Sequence, residues 1–140
     1  MNSRSFKSLT NQYNFFQSNP LPNVSVLPTE NIYKWTIRIK ITVDNTPYKG
    51  GIFFFILEFP GGYPFEMPNS PIFISKILHP QIYQDGYFCP CYYKAKFFFP
   101  WRVKDIIENI YSLFVNVDFN YFECYRTFNA GFCNYEGDLL

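Results

Sequence analysis

The sequence predicts an α+β fold in which helices flank an antiparallel sheet, and three observations carry that prediction. Apolar residues recur at helical spacing near the N-terminus, alternate strictly from Tyr33 to Val43, and return to helical spacing from Val103 to Phe114. Strands that follow one another between helices, rather than alternating with them, give segregated layers. The chain has 140 residues, 48% hydrophobic and 16% charged, which suits a single domain over 1–140 with one apolar core.

Each element is justified in turn. Phe6, Leu9, Tyr13 and Phe16 mark a first helix, which Asn19-Pro20-Leu21-Pro22 ends because proline lacks an amide hydrogen and restricts the residue before it. A strand can begin near Val24. From Tyr33 to Val43 the residues Tyr33, Trp35, Ile37, Ile39, Ile41 and Val43 take one face, the mark of a half-buried antiparallel strand. Asp44-Asn45-Thr46-Pro47 is turn chemistry, Gly50-Gly51 permits a sharp reversal, and Ile52 to Phe59 is a more buried strand closed by Pro60-Gly61-Gly62. Ile72 to Ile74 supplies a short fourth strand. Periodicity then vanishes from His79 to Pro100, a long irregular segment of the kind that often carries function. Val103, Ile106, Ile107, Ile110, Leu113 and Phe114 restore a helical stripe that must lie on the sheet, and another helix is expected near Phe119 to Phe128. Trp35, Ile37, Ile39, Phe53, Phe55, Ile106 and Ile110 are expected in the core.

Composition excludes several functions. A formal net charge of +1 leaves no basic footprint for nucleic acid. The longest apolar run, Ile52 to Leu57, is far shorter than the roughly 20 residues of a membrane span. The first acidic residue is Glu30, and Met1 to Thr29 carries Arg4, Lys7 and several Ser, a pattern shared by ordinary first helices and organellar targeting segments. The four cysteines are read as reduced thiols, since no signal-peptide pattern opens the chain and the core needs no staple. Cys89, Cys91, Cys124, Cys133 and His79 include no Cys-x-x-Cys pair, so no metal and no cofactor is expected.

Taken in order, several short pieces resemble the ubiquitin-conjugating enzyme family, the carriers that hold ubiquitin or a ubiquitin-like protein as a cysteine thioester. These are Tyr33-Lys34-Trp35, Tyr48-Lys49-Gly50-Gly51, Phe59-Pro60, Tyr63-Pro64-Phe65 and Met67-Pro68, followed by His79-Pro80-Gln81-Ile82, Gly86 and Cys89. The resemblance implies a four-stranded meander with an N-terminal helix, an active-site segment and C-terminal helices. It also implies that Cys89, ten residues after His79, is the nucleophile. Gln81 stands where the family has the Asn that supports the loop and stabilises an oxyanion, and His79 is a structural hydrogen-bonding residue. Phe65 falls at a ligase-binding position. An ungapped count places Phe97-Phe98-Phe99 at the family's Trp-Ser-Pro, making Phe98 and Phe99 partner-binding candidates, and a gapped one aligns Trp101 instead.

Two departures bear on chemistry. Gln81 keeps an amide but adds a methylene, and an oxyanion donor must sit within about 3 Å of the developing charge. Tyr121 falls where the family places an Asp or Ser near the incoming lysine, and a phenol with pKa near 10 is a poor base at neutral pH. Asp118 is the nearby substitute. Two functions follow. One is a divergent carrier meeting ubiquitin or a ubiquitin-like protein, an activating enzyme and a ligase, in cytoplasm or nucleus. The other is a fold that has lost catalysis and serves as a structural or interaction subunit of a larger, possibly mitochondrial, assembly. For the carrier, Cys89 is expected at the surface of a shallow groove beside Gln81, without a disulfide to Cys91.

Overall fold

A computed structural model describes residues 3–117. In chain order they form α1 (Ser3–Ser18), β1 (Val24–Val26), β2 (Lys34–Lys40), β3 (Ile52–Glu58), β4 (Ile72–Phe73), α2 (Pro90–Lys96) and α3 (Val103–Val115). The sheet runs β1-β2-β3-β4 with every neighbour antiparallel, the expected meander. The helix expected near 119–128 lies outside the described residues.

Alternation in β2 sets the register of the core. Trp35, Ile37 and Ile39 face inward and stand opposite Leu57, Phe55 and Phe53 of β3. Both long helices cover that inner face. Tyr13 and Phe16 of α1 meet the Trp35 ring edge-on at 5.5 and 5.9 Å, while Phe114 of α3 stacks on Phe53 at 4.9 Å. Val103, Ile106, Ile107, Ile110, Leu113 and Phe114 are all buried, and each such side chain removed from water contributes about 1.5–3 kcal/mol. Phe53, expected fully inside, is half-buried at the rim between Tyr48 and Phe114.

Two boundaries differ from expectation for identifiable reasons. Phe6 points to solvent, and the buried stripe of α1 is Ser5, Leu9 and Phe16 instead. Phe6 sits about 90° around the helix from that stripe. Ser5 can occupy the inner face because its hydroxyl meets the Tyr33 hydroxyl at 2.7 Å. The second strand ends at Lys40 rather than Val43, because the connection to β3 closes on Ile41: Gly50 N–H donates to Ile41 O (2.7 Å) and Ile41 N–H to Gly51 O (3.0 Å). Gly50 has φ +82°, a conformation that a side chain would resist, so Thr42 and Val43 fall inside the loop. Among the described residues, no helix is long and apolar enough to cross a membrane.

Candidate active site

The segment from His79 to Cys89 is a small hairpin clamped to the end of the sheet. Tyr83 N–H donates to Tyr87 O (2.8 Å), Gly86 N–H to Tyr83 O (3.0 Å) and Cys89 N–H to Gln81 O (2.7 Å). Phe73 of β4 donates its N–H to Gly86 O (2.7 Å), and Phe88 donates to Pro71 O (2.9 Å). The approach at Gly86 is so close that a β-carbon there would strike the Phe73 carbonyl oxygen, and φ at this residue is +96°. The hairpin thereby brings Gln81 and Cys89 side by side across its two arms.

His79 organises the first arm. Its ring is buried, stacked on Tyr48 at 5.3 Å and packed against Phe114 at 4.8 Å. Nδ1 accepts the Gln81 N–H (3.1 Å), which leaves the proton on Nε2 to donate to Leu113 O (2.9 Å). Burial lowers its pKa to about 4, partly opposed by the Leu113 carbonyl. A neutral ring with both nitrogens engaged has no lone pair free to take a proton. The folded pKa lies below the ordinary value of 6.5, so the unfolded chain binds the extra proton between the two. Unfolding free energy should therefore be full above about pH 6.5 and fall, by up to about 3 kcal/mol, as pH drops through about 4. As the chain has a single histidine, its ring protons report the titration directly by NMR. A midpoint near 4 is expected, and one near 6.5 contradicts the buried, doubly bonded ring.

Cys89 departs from expectation in two ways. Its side chain is 1% exposed rather than lying in an open groove, and it is disulfide-bonded rather than a reduced thiol. The bond is not to Cys91. The reason for the burial is α2, a helix inside the segment expected to be irregular. Cys89 is its N-cap, with Sγ accepting the Tyr92 N–H at 3.4 Å, and Pro90 occupies the first turn where a missing N–H costs nothing. The sulfur is turned toward that first turn and beneath Tyr83, whose hydroxyl donates to it at 3.7 Å. Tyr83 is a site residue that sequence reasoning missed. The helix had one signal, a proline suited to a first helical turn.

The three partner-binding candidates are strongly exposed: Phe65 at 62%, Phe98 at 71% and Phe99 at 59%. Phe97 is buried instead, as the C-cap of α2 against Tyr93 and Phe88. The two loops are joined, since the Tyr63 hydroxyl donates to Trp101 O at 2.8 Å. Trp101 has φ +52°, which for a bulky residue costs on the order of 1–2 kcal/mol. Its ring meets Phe99 edge-on at 5.4 Å, and its indole N–H donates to Phe97 O at 3.3 Å. Arg4 of α1, also missed, lies over the Phe65 ring at 5.5 Å. Exposed aromatics held on fixed loops around a cation suit recognition of a protein partner. Among the described residues, no three His, Cys, Asp or Glu side chains converge on a metal-sized site. Asp118, Tyr121, Cys124 and Cys133 lie outside the described residues.

Comparison with known proteins adds an independent finding. A family model described as ubiquitin-conjugating enzyme matches residues 8–121. The chain is similar to ubiquitin-conjugating enzyme E2 14 of Schizosaccharomyces pombe, 32% identical over 111 residues that cover 78% of this chain and 70% of the relative. It is also similar to ubiquitin-conjugating enzyme E2 13 of Arabidopsis thaliana, 35% identical over 91 residues (64% of this chain, 54% of the relative). Ubiquitin-conjugating enzyme E2 1 of Caenorhabditis elegans is 34% identical over 114 residues (81% and 58%). The chain spans little more than half the length of these last two relatives.

Proposed function

The chain belongs to the ubiquitin-conjugating enzyme family, and on that premise we propose that it carries ubiquitin or a ubiquitin-like modifier as a thioester on Cys89 and passes it to lysine. The observation that supports this most is the backbone pairing of Cys89 with Gln81 at the end of the hairpin, ten residues after His79. In the first step the Cys89 thiolate attacks the modifier's thioester on an activating enzyme, and the enzyme's own thiolate leaves. In the second, a lysine amine attacks the Cys89 thioester, the tetrahedral oxyanion collapses, and Cys89 leaves as thiolate. Only the second step develops an oxyanion next to an attacking amine. On this reading the Gln81 side-chain amide, buried in the described structure, supports that oxyanion once the site opens, and His79, which accepts the Gln81 backbone N–H, holds the loop.

In the buried state Cys89 is neither free nor accessible, so the first step requires reduction and an outward turn of the sulfur. Thioester formation needs a thiolate and a docked activating enzyme, and discharge needs amide geometry as well. Gln81→Asn should leave charging unchanged and raise single-turnover discharge onto free lysine, by up to on the order of 100-fold. An unchanged discharge rate in a variant that charges normally removes Gln81 from the oxyanion.

A second reading has its own observation. Burial of Cys89 as a helix cap, together with three exposed phenylalanines on other loops, also suits a domain that docks partners and transfers nothing. The two readings share the docking face, for which a ligase or assembly subunit is the occupant, and differ in whether reduced Cys89 forms an adduct.

A further inference from the structure

Gln12 takes no part in the chemistry above, yet its single carboxamide reaches two segments distant in sequence as well as its own helix. Its Nε2 donates to the Tyr63 hydroxyl (3.0 Å) and to Ser8 Oγ (3.1 Å), and its Oε1 accepts the N–H of Val103 (2.9 Å). Tyr63 lies two residues before Phe65, and Val103 opens α3 four residues after Phe99. The hydroxyl of Tyr63, having accepted from Gln12, donates onward to Trp101 O (2.8 Å). We propose that Gln12 is the positioning residue of the docking face, fixing the Phe65 loop and the Phe98–Phe99 loop at one spacing through Tyr63 and Val103. This rests on the reading of those loops as a partner-docking face.

Three features make the arrangement specific. Helix α3 has no cap of its own, because its N-cap residue Arg102 makes no side-chain bond to the helix, so Gln12 supplies the acceptor from another helix. Tyr63 is buried, and desolvation raises its pKa, opposed by the Gln12 bond, so the phenol stays protonated and donates to Trp101. The tasks also need an amide. Glutamate could accept from Val103 but could not donate to Tyr63, and its carboxylate would compete with Trp101 O for the phenol hydrogen. Methionine has the length and neither function. Asparagine is one methylene short of both partners.

The proposal separates from a general stabilising role by its pattern of coupling. The full chain and its variants would be titrated with purified RING domains of ubiquitin ligases, and amide exchange measured in the free proteins. Gln12→Met and Gln12→Glu should each weaken RING binding about 10-fold. Tyr63→Phe should do the same, and Gln12→Met with Tyr63→Phe should lose less than the sum of the two, because the Gln12–Tyr63 bond is common to both. Ile110→Val, a core variant remote from both loops, should bind as the wild type does despite its lower stability. Amide exchange in Gln12→Met should quicken in both loops together. Wild-type affinity in folded Gln12→Met, alongside loss of binding in Phe65→Ala, overturns the positioning role while leaving the docking face intact. If no RING domain binds the wild type, the docking reading fails, and exchange alone decides the role of Gln12: unchanged rates in either loop overturn it.

Discussion

Protein prepared with the Cys89 disulfide intact should take up no modifier, whereas the same protein after reduction should be charged at least about 100-fold faster by activating enzyme and ATP. The nucleophile in transthiolation is a thiolate, and a sulfur already bonded to sulfur is a neutral, very weak nucleophile that cannot attack a thioester carbonyl until reduction releases it as thiolate. Once reduced, Cys89 must also give up its place as cap of α2, where it accepts from Tyr92 N–H and the Tyr83 hydroxyl. Those contacts are weak sulfur acceptor bonds, so their loss is a small barrier next to the loss of the nucleophile itself. Equal charging of the oxidised and reduced forms, read by intact mass, would show that the sulfur is accessible in both.

Gly86→Ala should cost about 3 kcal/mol or more of unfolding free energy. The residue has φ +96°, and an added β-carbon would strike the carbonyl oxygen of Phe73, a backbone atom fixed in the sheet. Strain of this kind costs roughly 1–3 kcal/mol, and separation of the two segments also forfeits the Phe73 to Gly86 hydrogen bond, worth about 1 kcal/mol. Because that bond clamps the hairpin to the sheet, the variant should lose the Gln81–Cys89 pairing and with it charging. Gly61→Ala is the matched control, since nothing lies within 4 Å of its added carbon. It should stay within about 0.5 kcal/mol of the wild type. Urea midpoints for the two variants check this, and a Gly86→Ala protein as stable as Gly61→Ala would contradict the close approach.

The sheet was legible because one physical rule governed it. Alternation from Tyr33 to Ile41 could bury a face in only one register, and the stripe from Val103 to Phe114 admitted one helical orientation. Legibility failed where a polar contact outweighed hydrophobicity. Ser5 displaced Phe6 from the inner face through a bond to Tyr33, a residue 28 positions away that no local pattern connects to it. Helix α2 has only seven residues, and its buried Tyr92 and Tyr93 are too few to establish a period, although Pro90 was a usable sign of a first turn. For the site, family resemblance located Cys89 and Gln81, but the direction of the sulfur depends on that helix and on Tyr83, and so could not be read in advance. Family resemblance marked Phe65, Phe98 and Phe99 as partner-binding positions, whereas the tie between their loops through Tyr63 and Trp101 spans 38 residues and required the fold.

The most direct measurement is the mass and position of the adduct formed when the fully reduced chain is incubated with activating enzyme, ATP and ubiquitin, or a ubiquitin-like protein with its own activating enzyme. The expected result is one modifier per chain, lost on treatment with thiol, present in Cys91→Ser and absent from Cys89→Ala. A folded, reduced protein that forms no thiol-sensitive adduct with any of these modifiers, or one whose adduct survives Cys89→Ala, would contradict the assignment of Cys89 as the carrier.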